Sequence, residues 1–414
     1  YLSPGTPVMA FVWALAALSY PELKKRLMAS SIIGKAPEAI ALPAEWLERH
    51  GAKQEAIRDI PNGFDVTFHL FGEQRMPALL GIRQFEADHH IFLNSKDYPA
   101  DCMRIFLDGQ SFYEIPVDPW DDRAIHEKIT QIVKSFSTST RIAINLTGGT
   151  KLMFAGALAA ARELGATPLY FNSKNRRVTF VDSLHCEKIM RIDSIETFLR
   201  LNSDGLEVDD SSSINEMSSD RQLLTNKLWV NRERMRRFYK ELTDYNSSFK
   251  PFDISRDGIN FKLDSSEKAV FQGYTLNLTF EKWPDFAKYL SGGWFEEFVY
   301  LQCKPYEDAG VIQDLRINVR LNLKQEKGWN HLSRGVEYNE LDITFTDGYS
   351  LYIVECKAGN VTQEQVMKLQ NLVRFYGGIE GRGIVACCVQ PNTESVKKKI
   401  KDAKLTLWSG ASLS

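Results

Sequence analysis

The chain has 414 residues, of which 43% are hydrophobic and 25% charged, with a formal net charge of −2. These values are ordinary for a soluble globular protein, and the length suggests two or three domains. A net charge near zero excludes a global basic field, so any nucleic-acid surface has to be local.

Six cysteines are scattered at 102, 186, 303, 356, 387 and 388. Without a C-x-x-C pair, a structural zinc site is not expected, and the usage fits a reducing cytoplasm. The longest apolar stretch, 8–18, is shorter than the roughly 20 residues that span a bilayer. It also has no basic leader, so it reads as a buried helix and no membrane association is expected. The chain starts at Tyr1, inside what looks like a motif, which suggests that further sequence precedes it.

Residues 1–60 open with Ser3-Pro4-Gly5-Thr6-Pro7 before that helix, and 59–63 reads as a linker. From 64 to 182, strands (66–71, 90–94, 142–146, 169–172, 178–181) alternate with helices (76–85, 125–136, 152–164). The alternation predicts an α/β domain with a mostly parallel sheet and helices on both faces. Residues 200–220 are polar and acidic and read as a flexible connection. Residues 220–246 read as a basic helix with Arg232, Arg234, Arg236, Arg237 and Lys240. Such a run is usually a solvated face, though it can meet phosphates. A small helical or winged-helix connector is the expectation for 183–290.

Residues 291–414 form the last domain. A helix at 294–300 follows Gly292-Gly293, with strands near 311–323, 341–345, 351–356 and 383–389 and a helix at 362–376. Trp294 is expected in the core. Gln370 reads as a polar surface residue near a cleft, and His331 lies in a loop.

The strongest chemical signal is Asn339-Glu340-Leu341-Asp342-Ile343, then Asp347-Gly348, then Ile353-Val354-Glu355-Cys356-Lys357. Asp-Gly between β-prone runs signals a hairpin. With Asp347 and Gly348 as the two turn residues, Asp342 falls opposite Ile353 and Glu340 opposite Glu355. Side chains alternate with a period of 2, so Asp342, Glu355 and Lys357 share one face and Cys356 points away. Two carboxylates offer hard oxygens to Mg2+ or Mn2+, and an amine beside them can orient water or stabilise phosphate charge. A lone E-x-K on a strand edge is more often a solvated charge pair. Here the upstream acid and the apolar neighbours favour chemistry, because burying such charges without a role is costly.

These residues resemble the PD-(D/E)XK nuclease signature, and Gly293-Trp294-Phe295-Glu296-Glu297 resembles the helical glutamate of that fold. The resemblance implies Glu296, Asp342, Glu355 and Lys357 as catalytic residues and Glu296, Asp342 and Glu355 as metal ligands, with Glu297 the rival of Glu296. The family's Pro-Asp dipeptide is absent, since Leu341 precedes Asp342.

A second signal is the apolar strand 142–146 running into Thr147-Gly148-Gly149-Thr150-Lys151 and an apolar helix. In a parallel sheet, ligands sit beyond the carboxyl ends of strands. Glycines admit a phosphate, and a helix N-terminus favours anions. The Walker A spacing is missing, so ATP hydrolysis is not expected. The string resembles the signature of CARF domains, the Rossmann-like cyclic-oligoadenylate sensors of type III CRISPR systems. Leu70-Phe71-Gly72-Glu73-Gln74 resembles their first-strand loop, and Ser3 to Met9 resembles the glycine loop of a second unit. The resemblance implies Ser3, Gly5, Thr6, Gln74, Thr147, Gly148, Gly149, Thr150 and Lys151 as ligand-facing. It also implies a partial first unit at 1–60, a sensor at 64–182 and a nuclease at 291–414.

The expectation is a cytoplasmic, metal-dependent endonuclease of antiviral defence, switched on by a cyclic oligoadenylate, with cyclic tetra-adenylate favoured. Its substrate would be DNA, RNA or both, and its form a monomer with tandem sensors or a homodimer. The alternative is a nucleotide-responsive, non-catalytic DNA-binding regulator.

Overall fold

The computed structural model describes residues 63–410 and 413, apart from 184, 204–205, 210–216, 234–251, 257–258, 264–267, 274–275 and 324–336. Residues 1–62 form a separate unit from 63–414. The expected second glycine loop with Ser3, Gly5 and Thr6 therefore lies outside the described residues, as do Arg234, Arg236, Arg237, Lys240 and His331.

The first part of the described chain is a seven-stranded sheet. Its elements are β1 (Gly63–Phe71), α1 (Met76–Gln84), β2 (Glu86–Asn94), β3 (Ser111–Pro116), α2 (Asp122–Val133), β4 (Ile142–Asn145), α3 (Lys151–Leu164), β5 (Thr167–Asn172), β6 (Arg177–Phe180) and β7 (His185–Lys188). The spatial order is β3-β2-β1-β4-β5-β6-β7. The first five strands pair in parallel, and β6 and β7 add an antiparallel edge. In β1 both faces are buried: Val66, Phe68 and Leu70 on one, Thr67, His69 and Phe71 on the other. That pattern belongs to a central strand covered by helices on both sides. The sheet continues past residue 182, because β6 and β7 close as a hairpin.

The polar stretch near 200–220 is more ordered than its composition suggests. Helix α4 (Ile195–Asn202) buries Ile195, Phe198, Leu199 and Leu201. Strand β8 (Leu206–Asp209) then pairs antiparallel with β13 (Gln313–Leu323), so it is an edge strand of the second sheet. A partner more than 100 residues away makes it a strand, which local composition does not reveal. The described connector holds α5 (Ser219–Val230) and a four-stranded antiparallel meander, β9 (Phe252–Arg256), β10 (Ile259–Leu263), β11 (Ala269–Gly273) and β12 (Leu276–Phe280). Arg232 lies over Trp229, 4.3 Å from its ring centroid, so it packs as well as carrying charge.

Beyond it come α6 (Trp283–Lys288), α7 (Trp294–Asp308), β13, β14 (Glu337–Thr346), β15 (Leu351–Lys357), α8 (Gln363–Gly377), β16 (Gly381–Cys387), α9 (Glu394–Asp402) and β17 (Thr406–Ser409). The six-stranded order is β17-β16-β15-β14-β13-β8. β13, β14 and β15 run antiparallel, whereas β15, β16 and β17 are parallel and joined through α8 and α9. Helix α7 buries Trp294, Phe295, Phe298, Val299 and Cys303. Trp229 of α5 stacks on Phe298 at 4.3 Å and on Phe295 at 6.0 Å, so Trp294 and its neighbours are core. Among the described residues no helix is long and apolar enough to cross a membrane.

Candidate functional site

The hairpin of β14 and β15 differs from the expected register. Thr346 pairs with Leu351, Phe345 with Tyr352, Thr344 with Ile353 and Ile343 with Val354. The loop is therefore four residues, 347–350, rather than a two-residue turn. Asp347 causes this: its Oδ1 accepts the backbone N–H groups of Tyr349 (2.9 Å) and Ser350 (2.8 Å). An aspartate that caps the main chain two and three residues on stabilises a wider turn. The pairing slips by two positions, and two is the side-chain period, so every side chain keeps its face. One step beyond Ile343 and Val354, Asp342 stands across from Glu355 instead of Ile353.

There the main-chain ladder gives way to a side-chain contact. Cys356 donates its N–H to Oδ2 of Asp342 at 2.7 Å. Lys357 Nζ lies 2.6 Å from Oε1 of Glu355 and 3.8 Å from Oδ2 of Asp342. Glu355 is 7% exposed, and the Asp342 side chain 17%. Two carboxylates thus face each other with one ammonium between them, at low solvation. Burial, reinforced by the Glu355 and Glu296 carboxylates, pushes the Asp342 carboxyl up to about 7, although Lys357 and the Cys356 N–H oppose it. Burial also disfavours the charge on Lys357, but Asp342 and Glu355 outweigh it and hold the amine above its ordinary value. Lys357 is therefore a persistent cation, not a base at neutral pH.

The two helical glutamates separate cleanly. Glu297 is buried and faces α5, where Arg221 Nε donates to both its oxygens at 3.0 and 3.1 Å, and Thr225 Oγ1 lies 3.3 Å from Oε2. Glu296, about 100° further round α7, feels Lys288, Glu340, Lys357 and Asp342. Burial raises its carboxyl above the ordinary range, with Lys288 and Lys357 opposing and Glu340 assisting. Glu340 is itself paired with Lys288 at 3.0 Å.

Among the described residues, no group of three or more His, Cys, Asp or Glu side chains is gathered tightly enough to enclose a metal ion. The donor chemistry nevertheless fits a hard divalent cation. Glu296, Asp342 and Glu355 supply only oxygens, and burial together with the neighbouring Glu355 and Glu296 carboxylates drives Asp342 upward.

The glycine loop stands at the carboxyl ends of β1 and β4. The connections run outward in opposite directions from these two neighbours, so this is the topological switch point where open α/β sheets bind ligands. Gly148 has φ +119°, and a Cβ there would stand 2.4 Å from the Leu70 carbonyl oxygen. Asn145, fully buried beneath the loop, accepts the Thr147 N–H at 3.0 Å and donates to the Pro77 carbonyl at 2.8 Å. Two expected ligand hydroxyls also have structural work. Thr147 Oγ1 accepts the Phe171 N–H at 2.6 Å. Thr150 caps α3 through the Met153 N–H at 3.1 Å and donates to the Pro119 carbonyl. Gln74 and Lys151 are exposed, and Gly149 abuts Gly72.

The Thr150–Pro119 bond also places a residue that the sequence reading passed over. Trp120, adjacent to Pro119, is 71% exposed, and its backbone is fixed by an N–H bond to Asp118 at 2.9 Å. Its only sequence signal was a tryptophan in the loop after a strand of the parallel sheet.

Comparison with known proteins bears on both halves. Residues 285–410 match the family model described as Card1-like, endonuclease domain. No curated protein sequence matches the chain. Among solved structures, Can2 from Sulfobacillus thermosulfidooxidans, in complex with cyclic tetra-adenylate, is similar at 18% identity and TM-score 0.64, over 84% of this chain and 96% of that one. Protein VC1899 from Vibrio cholerae is similar at 15% and 0.64, over 84% and 94%. A type III CRISPR defence DNA nuclease activated by cyclic oligoadenylate is similar at 17% and 0.51, over 81% and 47%. At these identities the likeness is one of fold. The mixed α/β architecture is thereby shared, and the endonuclease domain at the C-terminal end rests on the family match over 285–410.

Two outcomes follow from the geometry. Because folding raises the Asp342 carboxyl from its ordinary 3.8 to about 7, native stability falls as pH rises between those values, and the penalty is full above 7. Asp342→Asn keeps an acceptor for Cys356 and removes the charge. It is expected to raise stability in chelator at pH 8 by roughly 1–3 kcal/mol and to change little at pH 4, as read by denaturant unfolding. Gly148→Ala should cost roughly 1–3 kcal/mol in the same assay, from left-handed backbone strain and the Leu70 contact.

Proposed function

We propose that this chain is a divalent-metal-dependent nuclease of the PD-(D/E)XK type whose cleft is controlled by a cyclic oligoadenylate bound at the glycine loop. The observation that carries the nuclease reading is the Asp342–Glu355–Lys357 cluster, within the segment that matches an endonuclease family. A non-catalytic regulator has no use for opposed carboxylates whose mutual repulsion costs stability, so that alternative loses its support.

Asp342 and Glu355, with Glu296 as a further oxygen donor, would hold Mg2+ or Mn2+, which when bound supplies Lewis acidity toward a phosphodiester and a nearby water. Lys357 keeps its proton at Nζ and presents positive charge to the phosphate as negative charge develops there. The Cys356 N–H fixes one Asp342 oxygen and leaves Oδ1 free to turn toward the cleft. Glu297 is a framework residue, because Arg221 saturates it.

At the sensor end, Gly148 and Gly149 keep the backbone bare, Lys151 supplies charge beside the loop, and Trp120 offers an exposed indole to an adenine face. Cyclic tetra-adenylate is the proposed ring, supported by its presence in the similar Can2 structure. A ring ligand with repeated nucleotides would contact two such loops. The segment with Ser3, Gly5 and Thr6, or a second copy of the chain, is the proposed source of the other.

The deciding experiment is a cleavage panel of supercoiled DNA, single-stranded DNA and RNA, with and without Mn2+ and cyclic tetra-adenylate. Cutting is expected only when both are present; equal cutting without nucleotide removes the sensor role. Lys357→Ala is expected to lower cleavage by about 100-fold or more with nucleotide affinity unchanged. Trp120→Ala should weaken nucleotide binding by about 5- to 100-fold, the range of one lost base–aromatic stack, without changing the melting temperature.

A further inference from the structure

The sensor touches the nuclease at the tip of the catalytic hairpin. Arg176, in the turn between β5 and β6, extends its guanidinium to Oδ2 of Asp347 at 2.8 Å and lies over the Tyr349 ring, 4.3 Å from the centroid. Asp347 is 8% exposed, and its other oxygen holds the four-residue loop together. Its carboxylate thus joins the sensor to the element that sets the hairpin register.

Further bonds surround that pair. Ile192 donates its N–H to the Gly348 carbonyl at 2.8 Å, and Thr346 Oγ1 donates to the Ile192 carbonyl at 3.3 Å. A Cβ on Gly348, whose φ is +87°, would stand 2.6 Å from the Arg191 side chain, so the two parts are in close contact here. Arg176 itself sits at φ +57°, a conformation uncommon for a residue with a side chain.

The same turn is tied to the glycine loop. Thr147, at the start of that loop, binds the Phe171 N–H at 2.6 Å. One residue later β5 ends at Asn172, whose Oδ1 accepts the N–H groups of Lys174 (3.1 Å) and Asn175 (3.3 Å) and shapes the turn leading to Arg176. From Asp347, β14 leads back to Asp342 and, beyond the loop, β15 leads on to Glu355. Asp342 is five residues away, roughly 17 Å along a strand.

We infer that Arg176 and Asp347 are positioning residues that couple ligand occupancy at the Thr147–Thr150 loop to the alignment of Asp342 and Glu355. This rests on the sensor reading above. A ligand that shifts Thr147 shifts the start of the β5–β6 turn, and the ion pair, buried at Asp347 and half-exposed at Arg176, carries that displacement to the hairpin tip. Neither residue belongs to the glycine loop or to the Glu296, Asp342, Glu355 and Lys357 cluster. A displacement at the tip is transmitted because paired strands are stiff along their length, and coupling of this kind requires the ligand to favour one of two arrangements.

The test uses the full chain with Mn2+ and compares cleavage with and without cyclic tetra-adenylate, alongside nucleotide affinity and melting temperature. Arg176→Ala is expected to keep the unstimulated rate and bind nucleotide within about twofold of wild type, while stimulation falls at least about tenfold. That lies within the usual range of a coupling free energy. Arg176→Lys restores part of the stimulation, because it keeps the charge and loses the planar stack. Asp347→Asn keeps the loop-capping oxygen and should lose stimulation to the same degree. The double variant Arg176→Ala/Asp347→Asn should be no worse than either single one. Full stimulation of Arg176→Ala overturns the coupling, as does additive loss in the double variant. A wild type that is not stimulated at all overturns the sensor reading itself, so the two failures are distinguishable.

Discussion

Two carboxylates facing each other across a β-hairpin, with one ammonium between them, set the terms for the rest of the molecule. Asp342 and Glu355 repel, and both are poorly solvated. Lys357 offsets part of that repulsion, and its own charge is sustained by the acids it serves. The fold holds this cluster together by apolar packing on the opposite face: Ile343, Phe345, Val354 and Cys356 are all buried. A hydrophobic sheet face of this size can carry a local electrostatic cost of a few kcal/mol, which is how functional sites commonly coexist with a stable core.

The architecture places that cluster at one end of the hairpin and a contact with the seven-stranded sheet domain at the other. β8 joins the six-stranded sheet from the segment that follows β7, and the hairpin loop is met by Arg176 of the β5–β6 turn and by Ile192 just beyond β7.

Much of this was legible from residues alone. The alternation of strands and helices around 64–182 gave the parallel sheet, because central strands need apolar residues on both faces. The Asp-Gly pair located the hairpin, and the even slip left the predicted face intact even though the partners were wrong. Glu296 and its rival Glu297 are neighbours in the string, and the resemblance alone put Glu296 first. The structure adds the reason they differ, namely Arg221, which lies 76 positions away in sequence from Glu297. Other features were not legible. Thr147 and Thr150 look like ligand hydroxyls in a string, yet each also makes a tertiary bond. The edge strand β8 and the Arg176–Asp347 pair depend on partners over 100 residues distant, and no local pattern encodes them.

The central claim is that the hairpin carboxylates take up a divalent cation, and calorimetric titration of Mn2+ at pH 7 in buffers of different ionisation enthalpy tests it most directly. With Asp342 near half-protonation, uptake should release a fraction of a proton, seen as a buffer-dependent heat, and Asp342→Asn should abolish both the release and most of the affinity. Absence of Mn2+ binding, or binding that is indifferent to the Asp342 substitution, would contradict the account.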